Sequence, residues 1–104
     1  MKHVKRGEIW LVDLGMARKV RPVLALSIGY EDHEKAIVTY VVRTTSVRGS
    51  RFEVEHRARN FKPGAFDGQS ISTDDVSYFI RRLAIAPDEV LIKVENTVRH
   101  WLAL

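Results

Sequence analysis

Apolar positions along this chain fall into short blocks, and all but the last follow a strand's rhythm. Gly7-Glu8-Ile9-Trp10-Leu11-Val12-Asp13 is β-branched and aromatic, with a glycine before it and Leu14-Gly15 after it, and predicts a buried first strand. The second block runs from Arg21 to Ile28. Its Pro22 cannot donate to a ladder, so the strand must begin near Arg21 or lie on an edge there. Only Met16 to Val20 separate the two blocks, which makes them antiparallel neighbours joined by a basic loop. After the polar turn from Gly29 to Lys35, Ala36-Ile37-Val38-Thr39-Tyr40-Val41-Val42 is nearly continuous β-former sequence, as a central strand requires. It ends at Arg43-Thr44-Thr45-Ser46. Val47 to Ser50 forms a turn, and Arg51-Phe52-Glu53-Val54-Glu55 then alternates with period two, as in a half-exposed strand. A basic stretch, His56 to Lys62, leads into Pro63-Gly64. Gln69 to Thr73 and Ile80 to Ile85 are weaker strand candidates, with Asp74 to Ser77 between them as a turn or a single helical turn.

The final block changes period. Pro87 suits a first helical position and Asp88 and Glu89 suit the positive end of a helix. Val90, Leu91, Val94, Val98, Trp101 and Leu102 recur at three and four, so the chain closes with an amphipathic helix. Five or six short strands, one terminal helix and no alternating βαβ pattern predict a mainly β fold: a strongly bent antiparallel sheet or small β-barrel with the helix packed on it.

Length and composition narrow the reading further. At 104 residues with 45% hydrophobic content, the chain is a single domain over residues 1–104, without repeats or linkers. The absence of cysteine excludes disulfides, thiolate catalysis and cysteine-ligated metals, and fits a reducing compartment. No apolar run reaches the ~20 residues of a membrane span, and the charged start Lys2-His3-Val4-Lys5-Arg6 is unlike a signal peptide. A soluble, cytoplasmic protein with no membrane partner is the expectation. Lys and Arg outnumber Asp and Glu by 17 to 13, a net charge of +4 that favours a polyanionic partner.

Most catalytic constellations find no support. Glu31, Asp32, His33 and Glu34 read as a solvated turn, and Asp74 and Asp75, adjacent on a strand, would point to opposite faces, so no metal site is expected. Nucleophile-elbow and phosphate-loop glycine patterns are absent. Of the histidines, His56 inside the basic stretch is the one placed to face a substrate. Arginines and lysines gather near strand ends: Arg18, Lys19 and Arg21; Arg43, Arg48 and Arg51; Arg57, Arg59 and Lys62. Guanidinium groups hold phosphates bidentately, and three such loops on one rim would form a phosphate-tracking groove for nucleic acid.

Taken in order, Lys5-Arg6-Gly7-Glu8-Ile9-Trp10-Leu11-Val12-Asp13-Leu14, Arg21-Pro22-Val23-Leu24, Ala36-Ile37-Val38-Thr39 leading to Thr44-Thr45-Ser46, and Phe52-Glu53-Val54-Glu55 resemble the MazF/PemK family of toxins from toxin-antitoxin systems. The resemblance is clear from Lys5 to Glu55 and weaker beyond. It implies an SH3-like or CcdB-like barrel, a homodimer, and a metal-independent endoribonuclease for single-stranded RNA, blocked by a cognate antitoxin and needing no cofactor. It also implies two catalytic residues, Arg21 and a threonine closing the third strand, read as Thr45, with the Thr44-Thr45 doublet leaving the register open by one. Arg18, Lys19, Arg43, Arg48, Arg51, His56, Arg57 and Arg59 would then line the RNA path. A non-catalytic RNA-binding protein or a gyrase inhibitor of the same fold is the alternative. Three departures from the family pattern stand out: the first loop is short and basic, Arg43 occupies a position where proline is frequent, and the polar stretch of the family's second half appears only as Asp75-Val76-Ser77.

Overall fold

Each β-rich block of the sequence becomes a strand because it can be covered on at least one face. The computed structural model describes residues 2–104, apart from the side chain of Arg18. Six strands, β1 (Glu8–Asp13), β2 (Val20–Ala25), β3 (Ile37–Thr44), β4 (Glu53–His56), β5 (Gly64–Asp75) and β6 (Phe79–Ile85), precede one helix, α1 (Asp88–Leu102). They form one antiparallel sheet in the order β4-β5-β3-β2-β1-β6. The block around Ala36 to Val42 is central, as its unbroken apolar run predicts. Pro22 sits two residues into β2, opposite Leu11 of β1, while pairing with β3 begins only at Val23. The proline therefore falls where one side of the strand has no ladder.

The sheet has two cores because the strands alternate. Trp10, Val12, Val23, Ala25, Val38, Tyr40, Val42 and Phe79 share the inner face, whereas Ile9, Leu24, Val41, Val54 and Phe66 share the outer one with Leu91, Val94 and Val98 of α1. Curvature closes the inner face. Two strands separate β3 from β6, which would hold them about 14 Å apart in a flat sheet, yet the rings of Tyr40 and Phe79 lie edge to face at 5.9 Å. Likewise only the short 3₁₀ turn Val76–Tyr78, capped by Asp75, links β5 to β6 across three intervening strands. The sheet is curled but not closed, since β4 and β6 remain edges. The expected barrel is thus an open, strongly bent sheet.

One irregularity positions the candidate site. Between the pairs Val41 with Ile71 and Arg43 with Phe66, β3 advances through Val42 alone while β5 advances through Asp67, Gly68, Gln69 and Ser70. That bulge makes β5 a bent strand of 12 residues, far longer than the Gln69 to Thr73 segment its hydropathy predicts. It also lets α1 approach: a Cβ on Gly68 would stand 2.3 Å from Thr97 Oγ1.

The helix follows its pattern with one change. Leu91, Val94 and Val98 are buried, acidic residues stand in the first turn, Arg99 and His100 in the last, and Ala103 takes the left-handed cap conformation. Trp101 and Leu102, expected in the core, are each 46% exposed. Trp101 instead lies edge-on against Phe52. Among the described residues no helix is long and apolar enough to cross a membrane.

Candidate functional site

Strand pairing decides which residues can meet Arg21. Val23 of β2 pairs with Val42 of β3, and continuing that antiparallel register by two residues sets Arg21 opposite Thr44. Both are inner-face positions by alternation, and both are half-buried at the open end of the inner core. They line a cavity of about 340 Å³ together with Val42, Arg48 and three residues of the β5 bulge, Asp67, Gln69 and Ser70. Thr45 does not share this cavity. It is exposed beyond the end of β3 and lines two other clefts, one with Arg57 and Pro63, the other with Pro22 and Arg43. The threonine on the face of Arg21 is therefore Thr44, whose Oγ1 accepts a hydrogen bond from Ser46 N at 3.0 Å.

The acidic groups at this cavity are already engaged. Glu53 accepts from the backbone N–H groups of Arg48 and Ser50 at 2.9 to 3.1 Å, so it organises the loop between β3 and β4. Those backbone bonds, the one from Ser50 foremost, hold its carboxyl below the usual range. A carboxylate stabilised in its ionised form is a poor proton acceptor. Asp67 accepts from Gln69 N and Ser70 Oγ, each at 2.9 Å, and so ties the bulge to itself. What remains at the cavity for a ligand includes Arg21, Arg48 and the hydroxyl residues Thr44, Ser46 and Ser50, a set suited to a phosphate.

Two expected surface residues are inside the protein. Arg43 is 4% and His56 3% exposed, on the outer face. Arg43 Nε donates to His56 Nδ1 at 2.9 Å, and Arg43 Nη2 donates to the carbonyl oxygens of His56 at 2.8 Å and Lys62 at 2.7 Å. Phe61 covers the guanidinium at 5.0 Å. Burial first and the charge of Arg43 second push the His56 imidazole below its ordinary pKa, so its Nδ1 is free to accept. Nε and Nη2 of Arg43 are thus spent on interior acceptors, while the residue also borders the cleft of Arg59 and Lys62; both Arg43 and His56 lie on the face opposite Arg21 and Thr44.

The remaining expected contacts divide among surfaces. Arg48 lines the Arg21 cavity, and Arg57 the adjoining cleft of about 550 Å³ that shares Ser50 and Glu53 with it. Arg57 is paired with Glu55 at 2.6 Å, both exposed. Arg59 and Lys62 border a cleft of about 610 Å³ with Arg81. Arg51 has its guanidinium 4.7 Å over the Phe52 ring, which itself meets His100 and Trp101 of α1. Lys19 is exposed on the β1–β2 connection, and the side chain of Arg18 lies outside the described residues.

The sequence matches the family model of the PemK-like, MazF-like toxins of type II toxin-antitoxin systems over residues 5–102. The chain belongs to this family. Among solved structures it is similar to MazF from Deinococcus radiodurans, with a TM-score of 0.85 at 21% identity over 100% of both chains. It is similar to a mycobacterial endoribonuclease in complex with its cognate antitoxin, with a TM-score of 0.83 at 22% identity over 97% of this chain and 96% of that one. A third is the Mycobacterium tuberculosis toxin MazF-mt6, with a TM-score of 0.78 at 24% identity over 93% and 97%. No curated protein matches the sequence.

In this MazF-like chain the N-terminal motif serves the fold. Glu8 is buried and accepts from Lys5 N at 2.8 Å, Trp10 Nε1 at 3.0 Å and Arg82 Nη1 at 3.1 Å. Burial works to raise its pKa, and these bonds outweigh that and leave it lowered. The family match also reaches well past Glu55, where the motifs fade. Asp67, Gln69 and Ser70 were not singled out by the sequence as site residues. The Asp67-Gly68 dipeptide inside an otherwise strand-like stretch was the available signal, because glycine within a strand marks a bulge or a close backbone approach.

Proposed function

We infer that this chain is the toxin of its toxin-antitoxin pair and acts as an endoribonuclease on single-stranded RNA. The observation that carries the reading is the cross-strand placement of Arg21 and Thr44 in one cavity, in a chain of the MazF/PemK family. RNA brings its own nucleophile. The 2'-oxygen attacks the adjacent phosphorus, the bond from phosphorus to the 5'-oxygen breaks, and the leaving oxygen takes a proton, giving 2',3'-cyclic phosphate and 5'-hydroxyl ends. Such a reaction asks the protein for alignment and for charge stabilisation at the phosphorane. Arg21 supplies a permanent cation, and the Thr44 hydroxyl a neutral donor for a non-bridging oxygen. Arg48 stands at the same cavity to hold a neighbouring phosphate.

Partners follow from the same reading. A cognate antitoxin is supported by the mycobacterial neighbour, solved with its own. A homodimer would cover apolar side chains left in solvent, among them Ile85, Ile92 and Leu104, which are 67%, 55% and 87% exposed. The test is incubation of the purified protein with mixed-sequence single-stranded RNA in excess EDTA, beside Arg21→Ala. Discrete wild-type cuts ending in cyclic phosphate, absent in the variant, are expected. RNA left intact by folded protein would overturn the enzyme and favour a non-catalytic RNA-binding or gyrase-inhibiting protein of this fold.

A further inference from the structure

Arg43 is a buried cation that the proposed reaction does not use. It lies on the outer face of the sheet, under the segment 57–62, whose Phe61 covers the guanidinium and packs on the outer core. Its hydrogen bonds have a particular arrangement. One nitrogen, Nη2, donates to the carbonyl oxygens of both His56 and Lys62, the residues that flank the segment 57–61. Nε is anchored on the His56 ring, which is itself wedged between Phe61 at 5.2 Å and Phe66 at 5.0 Å. Below the clamp, a Cβ on Gly64 would stand 2.8 Å from Arg43 Nη1 and 2.5 Å from the Thr44 carbonyl oxygen. Within the clamped segment, Phe61 N donates to Ala58 O at 3.1 Å and Asn60 takes a positive φ of 70°. Asparagine accepts this left-handed conformation as a turn residue, so the segment reverses direction here between its two tied ends. Arg57, Arg59 and Lys62 ride on it and are exposed.

We propose that Arg43 is a positioning residue: by tying together both ends of the 57–61 segment next to Thr44, it fixes the exposed cations of that segment relative to the Arg21 and Thr44 cavity, so that they engage the phosphates flanking the scissile one. The proposal rests on the ribonuclease reading. Arg43 itself touches no RNA. A lysine in its place keeps the charge but loses the planar fork that reaches an imidazole and two carbonyls at once. The segment then loosens, and its cations no longer act as a set.

The experiment measures binding of a 2'-O-methyl RNA strand, which lacks the nucleophile and stays intact, as a function of salt. For Arg43→Lys the expected result is weaker binding and a shallower slope of log affinity against log salt, by roughly 0.7 for each phosphate no longer neutralised. A purely structural role would lower the melting temperature and leave the slope alone. The decisive comparison repeats Arg43→Lys in a chain carrying Arg57→Gln, Arg59→Gln and Lys62→Gln. Its effect on affinity should vanish there; an equal loss in both backgrounds, or an unchanged slope in the first, overturns the proposal. If Arg43→Lys does not fold, the same cycle is run with His56→Phe, which keeps a ring between Phe61 and Phe66 and removes the acceptor. Wild-type protein that fails to bind the strand would instead overturn the ribonuclease reading, and the proposal with it.

Discussion

Replacing Thr44 with valine removes one hydroxyl and almost no volume, so its effects can be worked out separately for chemistry and for stability. For chemistry, loss of one donor to developing charge costs about 10²–10³ in kcat. Arg21 and Thr44 are half-buried rather than sealed from water, which sets the expectation at the lower end, about 100-fold. For stability, Ser46 N loses its acceptor, a cost of roughly 0.5–1.5 kcal/mol. In a domain of this size that lowers the melting temperature by roughly 2–10 °C, leaving the protein folded at 25 °C. Thr45→Val, at an exposed position, should change stability by less than about 0.5 kcal/mol and leave kcat near wild type. The assay is single-turnover cleavage of a fluorophore-quencher RNA strand, with thermal unfolding followed on the same samples. A slow Thr45→Val beside a fast Thr44→Val would refute the register argument. So would a rate loss in Thr44→Val no larger than its unfolded fraction accounts for.

Two further predictions concern the framework of the site. Gly64→Ala should destabilise by about 1–3 kcal/mol, because its Cβ would meet the Thr44 carbonyl oxygen at 2.5 Å; Gly29→Ala, with no atom within 4 Å, is the control, and equal urea midpoints for the two would sink the claim. His56 has a lowered pKa in the folded state, from burial first and Arg43 second. Between that value and the unfolded value of about 6.5 the unfolded chain binds more protons. Stability from this group is therefore complete above about pH 6.5 and is lost as pH falls below it. Urea midpoints at about pH 7.5 and pH 5 should show the loss, and His56→Phe should flatten the difference; a midpoint that rises on acidification would contradict it.

The strands and the helix were legible because hydrophobic period reports burial directly: Tyr40 to Val42 are apolar on both faces and form a strand covered on both. What period does not report is the turn of the sheet. The β5 bulge adds residues without changing hydropathy, so Asp67 reads as lying before a strand and Gln69 and Ser70 as its ordinary start. Burial of charge was equally hidden. Arg43 ends a strand and His56 opens a basic stretch, both positions that read as solvated, and their interior placement depends on partners at residues 61, 62 and 66 that only the folded sheet assembles. The Arg21 motif supplied one half of the cavity; the choice between Thr44 and Thr45 needed the β2–β3 register, which alternation sets and a doublet conceals.

The pairing of β1 with β6 also bears on how the chain is made. Val12 to Glu8 find their partners at Phe79 to Ile85, so the outer edge of the first strand stays open until those residues have left the ribosome. With synthesis at about 5–20 residues per second, that edge waits for several seconds. The strands that carry the Arg21 and Thr44 cavity are all in hand by Asp75. Their curvature, by contrast, depends on Phe79 and on the helix that follows. A nascent chain thus holds every residue of the site before it holds the scaffold that assembles them.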